Sequence, residues 1–261
     1  MPSLSGRDAA PASTGAVKPA IVTIGNFDGV HRGHQKLIHQ VADRARALGL
    51  CSLAVTFEPH PEQVLFPERK LNHLSTPEEK VEILHANGMD EVWVCPFTTE
   101  LARMEPEDFM RMVSERQPMS ELWVGADFAL GRGRRGTISV LAEIGSAMGW
   151  GLHMVPPLTL EGQIVSSTAI RTLLSAGAVR GAADLLGRPY SVPGNLVGDE
   201  LIVDPLRALP RSMTYEAQLR QDGVGYETPV TVQSISGPVH IDRELPTQNG
   251  PAVVEFLRRV D

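Results

Sequence analysis

The sequence predicts an α/β chain in which a parallel sheet, covered by helices on both faces, is followed by a small, mostly β, barrel-like domain. Three observations carry that prediction. Short β-branched apolar runs alternate with helical spacings up to about residue 155. Glycine- and proline-bearing turns follow three of the apolar runs, at Gly25, at Pro59 and at Gly125, where a parallel sheet gathers its ligands. After residue 187 turn signals come at close intervals between short β-like runs.

The elements follow in order. Residues 1–18 are rich in Ala, Pro, Ser and Gly and lack the basic start and apolar stretch of a secretory signal, so a flexible leader is expected. Ile21, Val22 and Ile24 suit a buried strand. Leu37, Ile38, Val41, Ala45 and Leu48 then fall at helical spacing, and Gly49 ends the helix. "CSLAVTF", "EVWVCPF", "ELWVGADF" and "GLHMVPP" read as further buried strands. Helices are expected near 77–87, 105–116 and 138–148; the first opens with Ser75-Thr76-Pro77-Glu78-Glu79, proline just inside the start and acids in the first turn. "GRPYSVPGNLVGDELIVDP", "TPVTVQSI" and "AVVEFL" supply the β-like runs of the second region. The division expected is 19–187 and 188–261.

Composition narrows the function. With 42% hydrophobic residues, the 261-residue chain can build a packed core, which excludes wholesale disorder. No uninterrupted apolar run approaches the ~18–20 residues that span a bilayer. A net charge of −7 argues against nucleic-acid binding over the general surface. Cys51 and Cys95, the two cysteines, lie in or beside strand runs, so buried reduced thiols and a cytoplasmic location are expected. The oligomeric state is left open.

"TIGNFDGVHRGHQKLI", residues 23–38, is a strand end, a glycine-containing turn and a helix N-terminus. That arrangement aims backbone N–H groups and the positive helix end at one spot, with His31 and His34 beside it. A phosphate site is the reading preferred to a metal pair, because no Glu follows at zinc-site spacing and no third ligand is evident. Three other stretches bear on chemistry. "TFEPHPEQVLFP" (56–67) reads as a rigid loop around His60. "VGADFALGRGRRGT" (124–137) joins Asp127 at a strand end to a basic loop with Arg132, Arg134 and Arg135, side chains that ordinarily face solvent. "VSSTAIRTLLSAG" (165–177) puts Ser166, Ser167 and Thr168 before a helix carrying Arg171; a hydroxyl there caps a helix or, with arginine's planar fork, grips phosphate.

Gly25, Phe27, Asp28, His31, Gly33 and His34 together resemble the signature of nucleotidyltransferases that hold ATP through an HxGH motif. More narrowly, "TIGNFDGVHRGHQKLI", "TFEPHP", "VGADFALGRGRRGT", "VSSTAIR" and "LLGRPYSVPG" resemble, in order over residues 20–194, the bacterial bifunctional riboflavin kinase/FAD synthetase family. The resemblance implies a Rossmann-like nucleotidyltransferase domain that makes FAD and pyrophosphate from FMN and ATP. It implies that His31 and His34 contact the ATP phosphates and that Gly25, Phe27 and Asp28 shape the nucleotide pocket. Asp127 would help hold nucleotide or flavin, and Pro59 and His60 would lie at the substrate. Ser166, Ser167, Thr168 and Arg171 would form a phosphate clamp, Arg171 acting with the two histidines in catalysis.

The FMN phosphate is already a nucleophile, so the implied chemistry needs alignment and charge stabilisation rather than a general base. No protein metal cage is visible, so Mg²⁺ would arrive with ATP. Beyond Gly194 the resemblance breaks. The family's kinase half continues through a Gly-x-Pro-Thr-Ala-Asn segment, whereas "NLVGDELIVDPLRALP" stands here, and a shortened barrel without kinase chemistry is expected. Two alternatives stay open: transfer to another small phosphate, such as a phosphorylated polyol or pantetheine, and a non-catalytic flavin or nucleotide sensor.

Overall fold

The central strand is β1 (Ala20–Ile24), all five residues of which are buried. The computed structural model describes residues 18–69 and 71–260, so the expected leader, apart from Lys18, lies outside the described residues. Around β1 run β2 (Cys51–Glu58), β3 (Glu91–Pro96), β4 (Met119–Gly125) and β5 (Gly151–Val155), all parallel in the order β3-β2-β1-β4-β5. Alternation along β1 sorts its side chains. Ile21 packs with Leu37, Ile38 and Val41 of α1 (Arg32–Leu48) and with Leu84 of α3 (Pro77–Ala86). Val22 and Ile24 face the opposite layer, formed by α5 (Pro106–Arg116) and α6 (Ile138–Met148).

Local signals fix the helix ends. Gly49 closes α1 with φ 63°, and the N–H of Leu50 reaches back to Ala45 O at 2.9 Å. Thr76 and Glu79 form a reciprocal capping box at the start of α3.

Several expectations need correction. "EVWVCPF" and "GLHMVPP" are not buried strands: β3 and β5 are the two sheet edges, and Met154 is 54% exposed. Their apolar residues cover one face only, which a residue-by-residue pattern cannot distinguish from burial on both. Cys95 is buried, but Cys51, at the open start of β2, is only half-buried. The 56–67 stretch is not all loop, because Pro61–Leu65 form α2, and a further short helix, α4 (Thr99–Arg103), precedes α5. Ser167 and Thr168 do not precede the next helix. They are its first two residues, in α7 (Ser167–Ser175), and only Ser166 lies outside as its cap.

A small hairpin of β6 (Thr159–Leu160) and β7 (Gln163–Ile164) leads into α7 and α8 (Val179–Leu186). The chain then forms β8 (Tyr190–Val197), β9 (Glu200–Val203), β10 (Met213–Gln221), β11 (Val224–Val232), β12 (Val239–Ile241) and β13 (Gly250–Arg259). These six close into an antiparallel barrel in the order β10-β11-β12-β9-β8-β13. Tyr190, Tyr215 and Phe256 fill its interior, and the phenol tips are satisfied by Ala208 O at 2.6 Å and Arg211 O at 2.7 Å. Ile170 and Leu174 of α7 and Ala182, Leu185 and Leu186 of α8 belong to the same apolar cluster as the barrel interior.

Candidate active site

At the carboxyl end of β1 the chain turns away from the sheet. Gly25 N–H still bonds Val55 O at 3.0 Å, and Phe27 then adopts a left-handed conformation (φ 49°) with its ring buried. Gly29 has φ 76°, and a Cβ there would lie 3.0 Å from Leu74 Cβ, so this turn needs glycine on both counts. The turn delivers His31 to the N-cap of α1, where its Nδ1 accepts the backbone N–H of His34 at 3.3 Å. The two imidazoles stack with centroids 3.7 Å apart, and Phe27 meets His34 edge-on at 5.2 Å. Gly33 lets this stack sit against the chain before α7: a Cβ on it would be 3.1 Å from the His31 ring and 3.3 Å from Val165 O.

Burial pushes His31 down to about 4 against the opposing pull of Asp28. Burial, reinforced by the charges His31 and Lys80 would carry, holds His34 well below the usual imidazole range. Both rings are therefore neutral near pH 7. Since His31 Nδ1 is an acceptor, its proton sits on Nε2. Among the described residues the buried Nδ1 of His34 has no hydrogen-bond partner.

Asp28 is a hub. Its Oδ1 accepts the N–H groups of Leu74 (2.9 Å) and Ser75 (3.2 Å), and its Oδ2 accepts Arg171 Nη2 at 2.5 Å. Arg171 Nε is also engaged, donating to Asn72 O at 2.8 Å. Ser166 caps α7 by accepting Ala169 N–H, Ser167 Oγ donates to Asp28 O at 2.9 Å, and Thr168 is exposed. Asp28, His31, His34, Ser167 and Arg171 are thus tied into one constellation.

Across the end of β2, Pro59 follows a cis peptide bond and His60 caps α2, its Nδ1 accepting Glu62 N–H at 3.2 Å. Burial also pushes His60 down to about 4. His60 and Asp28 line one cleft of ≈ 110 Å³. Asp127 lies on the exposed turn after β4, its C=O accepting Arg134 Nη2 at 2.9 Å, and its charge is near enough to His31 to favour that imidazole's protonated form. Arg132 and Arg135 make long, exposed ion pairs with Glu105 (3.8 and 3.6 Å) of the kind that contributes little.

Other members carry no local signal. Ser75 Oγ accepts Gly29 N–H at 2.9 Å, and Arg188 Nη2 donates to Gly29 O at 2.9 Å. Lys80 is buried, donates to Phe57 O at 3.1 Å, and has its pKa lowered by that burial. A lysine on an amphipathic helix reads as a surface residue until the partner strand is known. Among the described residues no group of three His, Cys, Asp or Glu could hold a metal ion, and no helix is long and apolar enough to cross a membrane.

A family model described as FAD synthetase matches residues 14–169. The chain belongs to the FAD synthetase family. Bifunctional riboflavin kinase/FMN adenylyltransferases are similar to it: that of Pseudomonas fluorescens is 34% identical over 178 residues, 68% of this chain and 57% of the relative. The Escherichia coli K12 protein is 32% identical over 183 residues, and the Bacillus subtilis protein 34% over 185, each match taking in 69% of this chain and 58% of the relative. The chain thus spans under two thirds of the length of these relatives. A crystal structure described as a macrolide-efflux protein from Streptococcus pneumoniae has the same fold, with TM-score 0.83 over 94% of this chain and 86% of that one at 24% identity. Sheet and barrel therefore recur together in one solved chain.

Proposed function

We propose that this FAD synthetase family member is an FMN adenylyltransferase that moves AMP from Mg-ATP to FMN. An oxygen of the FMN phosphate attacks the ATP α-phosphorus, the bond to the bridging oxygen breaks, and pyrophosphate leaves with that electron pair. The observation that carries the reading is the stacked His31–His34 pair at the N-terminus of α1, beyond the carboxyl end of the central parallel strand. His31 Nε2–H and the helix N-terminal amides stabilise charge on the transferred group and on pyrophosphate. Gly25, Phe27 and Asp28 shape the nucleotide pocket, Ser166, Ser167, Thr168 and Arg171 clamp phosphate, and Asp127, Pro59 and His60 line the nucleotide and flavin. Mg²⁺ enters as part of the Mg-ATP substrate.

Residues 19–187 carry this chemistry in our reading, and 188–261 form a kinase-like barrel that no longer phosphorylates riboflavin. The PTAN segment is absent, and residues 195–213 in its place bring Pro205, Pro210, Asp199, Glu200 and Asp204 but no glycine-rich phosphate cradle. The partners are small molecules, not nucleic acid, and the setting is cytoplasmic. Incubating the protein with FMN and Mg-ATP and separating products by chromatography tests this. FAD and pyrophosphate are expected. Faster adenylylation of phosphopantetheine or a phosphorylated polyol would replace FMN as substrate, and ligand binding without turnover would leave a sensor.

A further inference from the structure

The segment between β9 and β10 leaves the barrel and pairs with the loop that holds Asp28. His73 N–H donates to Leu206 O at 2.7 Å and Ala208 N–H to His73 O at 2.9 Å, a single parallel bridge between two irregular segments. Arg207, in the middle of that bridge, is only 4% exposed. Its Nη1 meets Glu79 Oε2 at 2.6 Å, and its Nη2 meets Glu79 Oε1 at 3.3 Å and Ser191 O at 2.5 Å. Glu79 Oε2 also accepts Thr76 N–H at 2.8 Å, so the carboxylate gripped by the barrel is the one that fixes the start of α3.

Loop 72–76 is thereby held at both ends of its function. On one side it is bound to Arg207 through Glu79 and to residues 206–208 through its backbone. On the other it supplies the Leu74 and Ser75 amides to Asp28, and the Asn72 carbonyl to Arg171. Among the described residues from Phe66 to Thr76, no helix or strand supports it apart from the His73 bridge. Its conformation is set by these contacts, and so is the position of the Arg171 fork, which has one partner in the loop and the other in the carboxylate the loop orients.

We propose that Arg207 is a positioning residue for the nucleotide site, acting from the barrel through Glu79 and loop 72–76 on Asp28 and Arg171. The proposal rests on the adenylyltransferase reading for its substrate, Mg-ATP. The barrel, in this account, holds the phosphate clamp in register. A merely structural Arg207 would lower stability and leave the behaviour of Arg171 unchanged, so the two accounts separate in a double-mutant cycle.

The test uses the full chain as wild type, Arg207→Gln, Arg207→Lys, Arg171→Ala and the Arg207→Gln/Arg171→Ala double variant. Mg-ATP affinity is measured by calorimetry, and kcat and KM by FAD formation. Arg207→Gln should weaken Mg-ATP binding by about tenfold and raise KM in step, with kcat within about twofold of wild type. On the Arg171→Ala background the same substitution should change affinity by less than about twofold, because the group it acts through is gone. Arg207→Lys, which keeps the charge but not the fork, should fall between wild type and Arg207→Gln. If Arg207→Gln shows no cooperative thermal unfolding, Glu79→Gln, which keeps a carbonyl acceptor for Thr76 N–H, takes its place in the cycle. Equal effects in both backgrounds, or unchanged Mg-ATP affinity, would overturn the proposal. A wild-type protein that binds Mg-ATP but makes no FAD would instead overturn the adenylyltransferase reading, and the calorimetric cycle would still decide the role of Arg207.

Discussion

His31 and His34 lie face to face with ring planes 16° from parallel, and the first accepts the backbone N–H of the second. Two imidazoles stacked at 3.7 Å in a buried turn do not both carry charge, and here neither does near pH 7. In the adenylyltransferase reading the pair would act by donating hydrogen bonds rather than as a pair of cations.

His31→Ala or His34→Ala should each lower kcat for FAD formation by about 10²–10³, the usual loss when one charge-stabilising donor is removed. Steady-state kinetics check this. Near-wild-type turnover by either variant would remove that ring from the phosphate site.

Stability should fall as pH drops below neutrality. The native pKa values of His31 and His60, each about 4, lie below the unfolded value of 6.5. Between those limits the unfolded chain binds more protons, so protonation pulls towards it. Each histidine contributes a slope of up to about 1.4 kcal/mol per pH unit across the window, fully lost by about pH 4. Glu58, whose pKa burial raises, works in the opposite sense. Urea unfolding at pH 7.5 and 5.0 measures the net loss. His60→Asn, which keeps an N-cap acceptor, should remove one histidine's share of it.

Gly33→Ala separates packing from propensity. Alanine is about 1 kcal/mol better than glycine inside a helix, yet its Cβ would press on the His31 ring and on Val165 O. The melting temperature should change little, while kcat/KM falls by about tenfold as the imidazole stack is displaced. Unchanged kinetics would show that the ring tolerates the shift.

Arg171→Ala should weaken Mg-ATP and also destabilise the fold, because it strands the buried Asp28 carboxylate. Breaking one side of such a pair costs about 3–5 kcal/mol when fully buried, and about 2–3 kcal/mol is expected for this partly exposed arginine. Asp28→Asn in the same chain should restore most of the stability and none of the Mg-ATP affinity. Denaturation curves alongside ATP titrations distinguish the two losses.

Riboflavin with Mg-ATP should yield neither FMN nor ADP. ADP release that depends on riboflavin would restore a bifunctional reading of the barrel.

Much of the sheet was legible because its signals are local. Ile21–Ile24, the Gly49 stop and the Thr76–Glu79 box each decide their element within a few residues. The order of the strands is not local, which is why β3 and β5 read as buried when they are edges. The site divides the same way. The turn carrying His31 and His34 announces itself, whereas Arg171 meets Asp28 across 143 residues and Arg207 meets Glu79 across 128. Such pairs leave no periodicity behind: Arg171 is legible only through its motif, without its partner, and Arg207 is indistinguishable from a solvated arginine until the chain is folded.

The cluster shared by α7, α8 and the barrel has a consequence for inheritance. A recombination joint at residue 187 would cut through a continuous apolar interior, stripping the barrel of Ile170, Leu174 and Leu185. A joint near Val165 would leave every buried member of that interior except Leu74 on the barrel side. The block that can be exchanged between genes with least damage to it therefore includes Ser166, Ser167 and Arg171 along with the barrel. Lineages that swap or erode their barrel would be expected to carry α7 with it, so that these side chains descend with the barrel rather than with the histidines they meet.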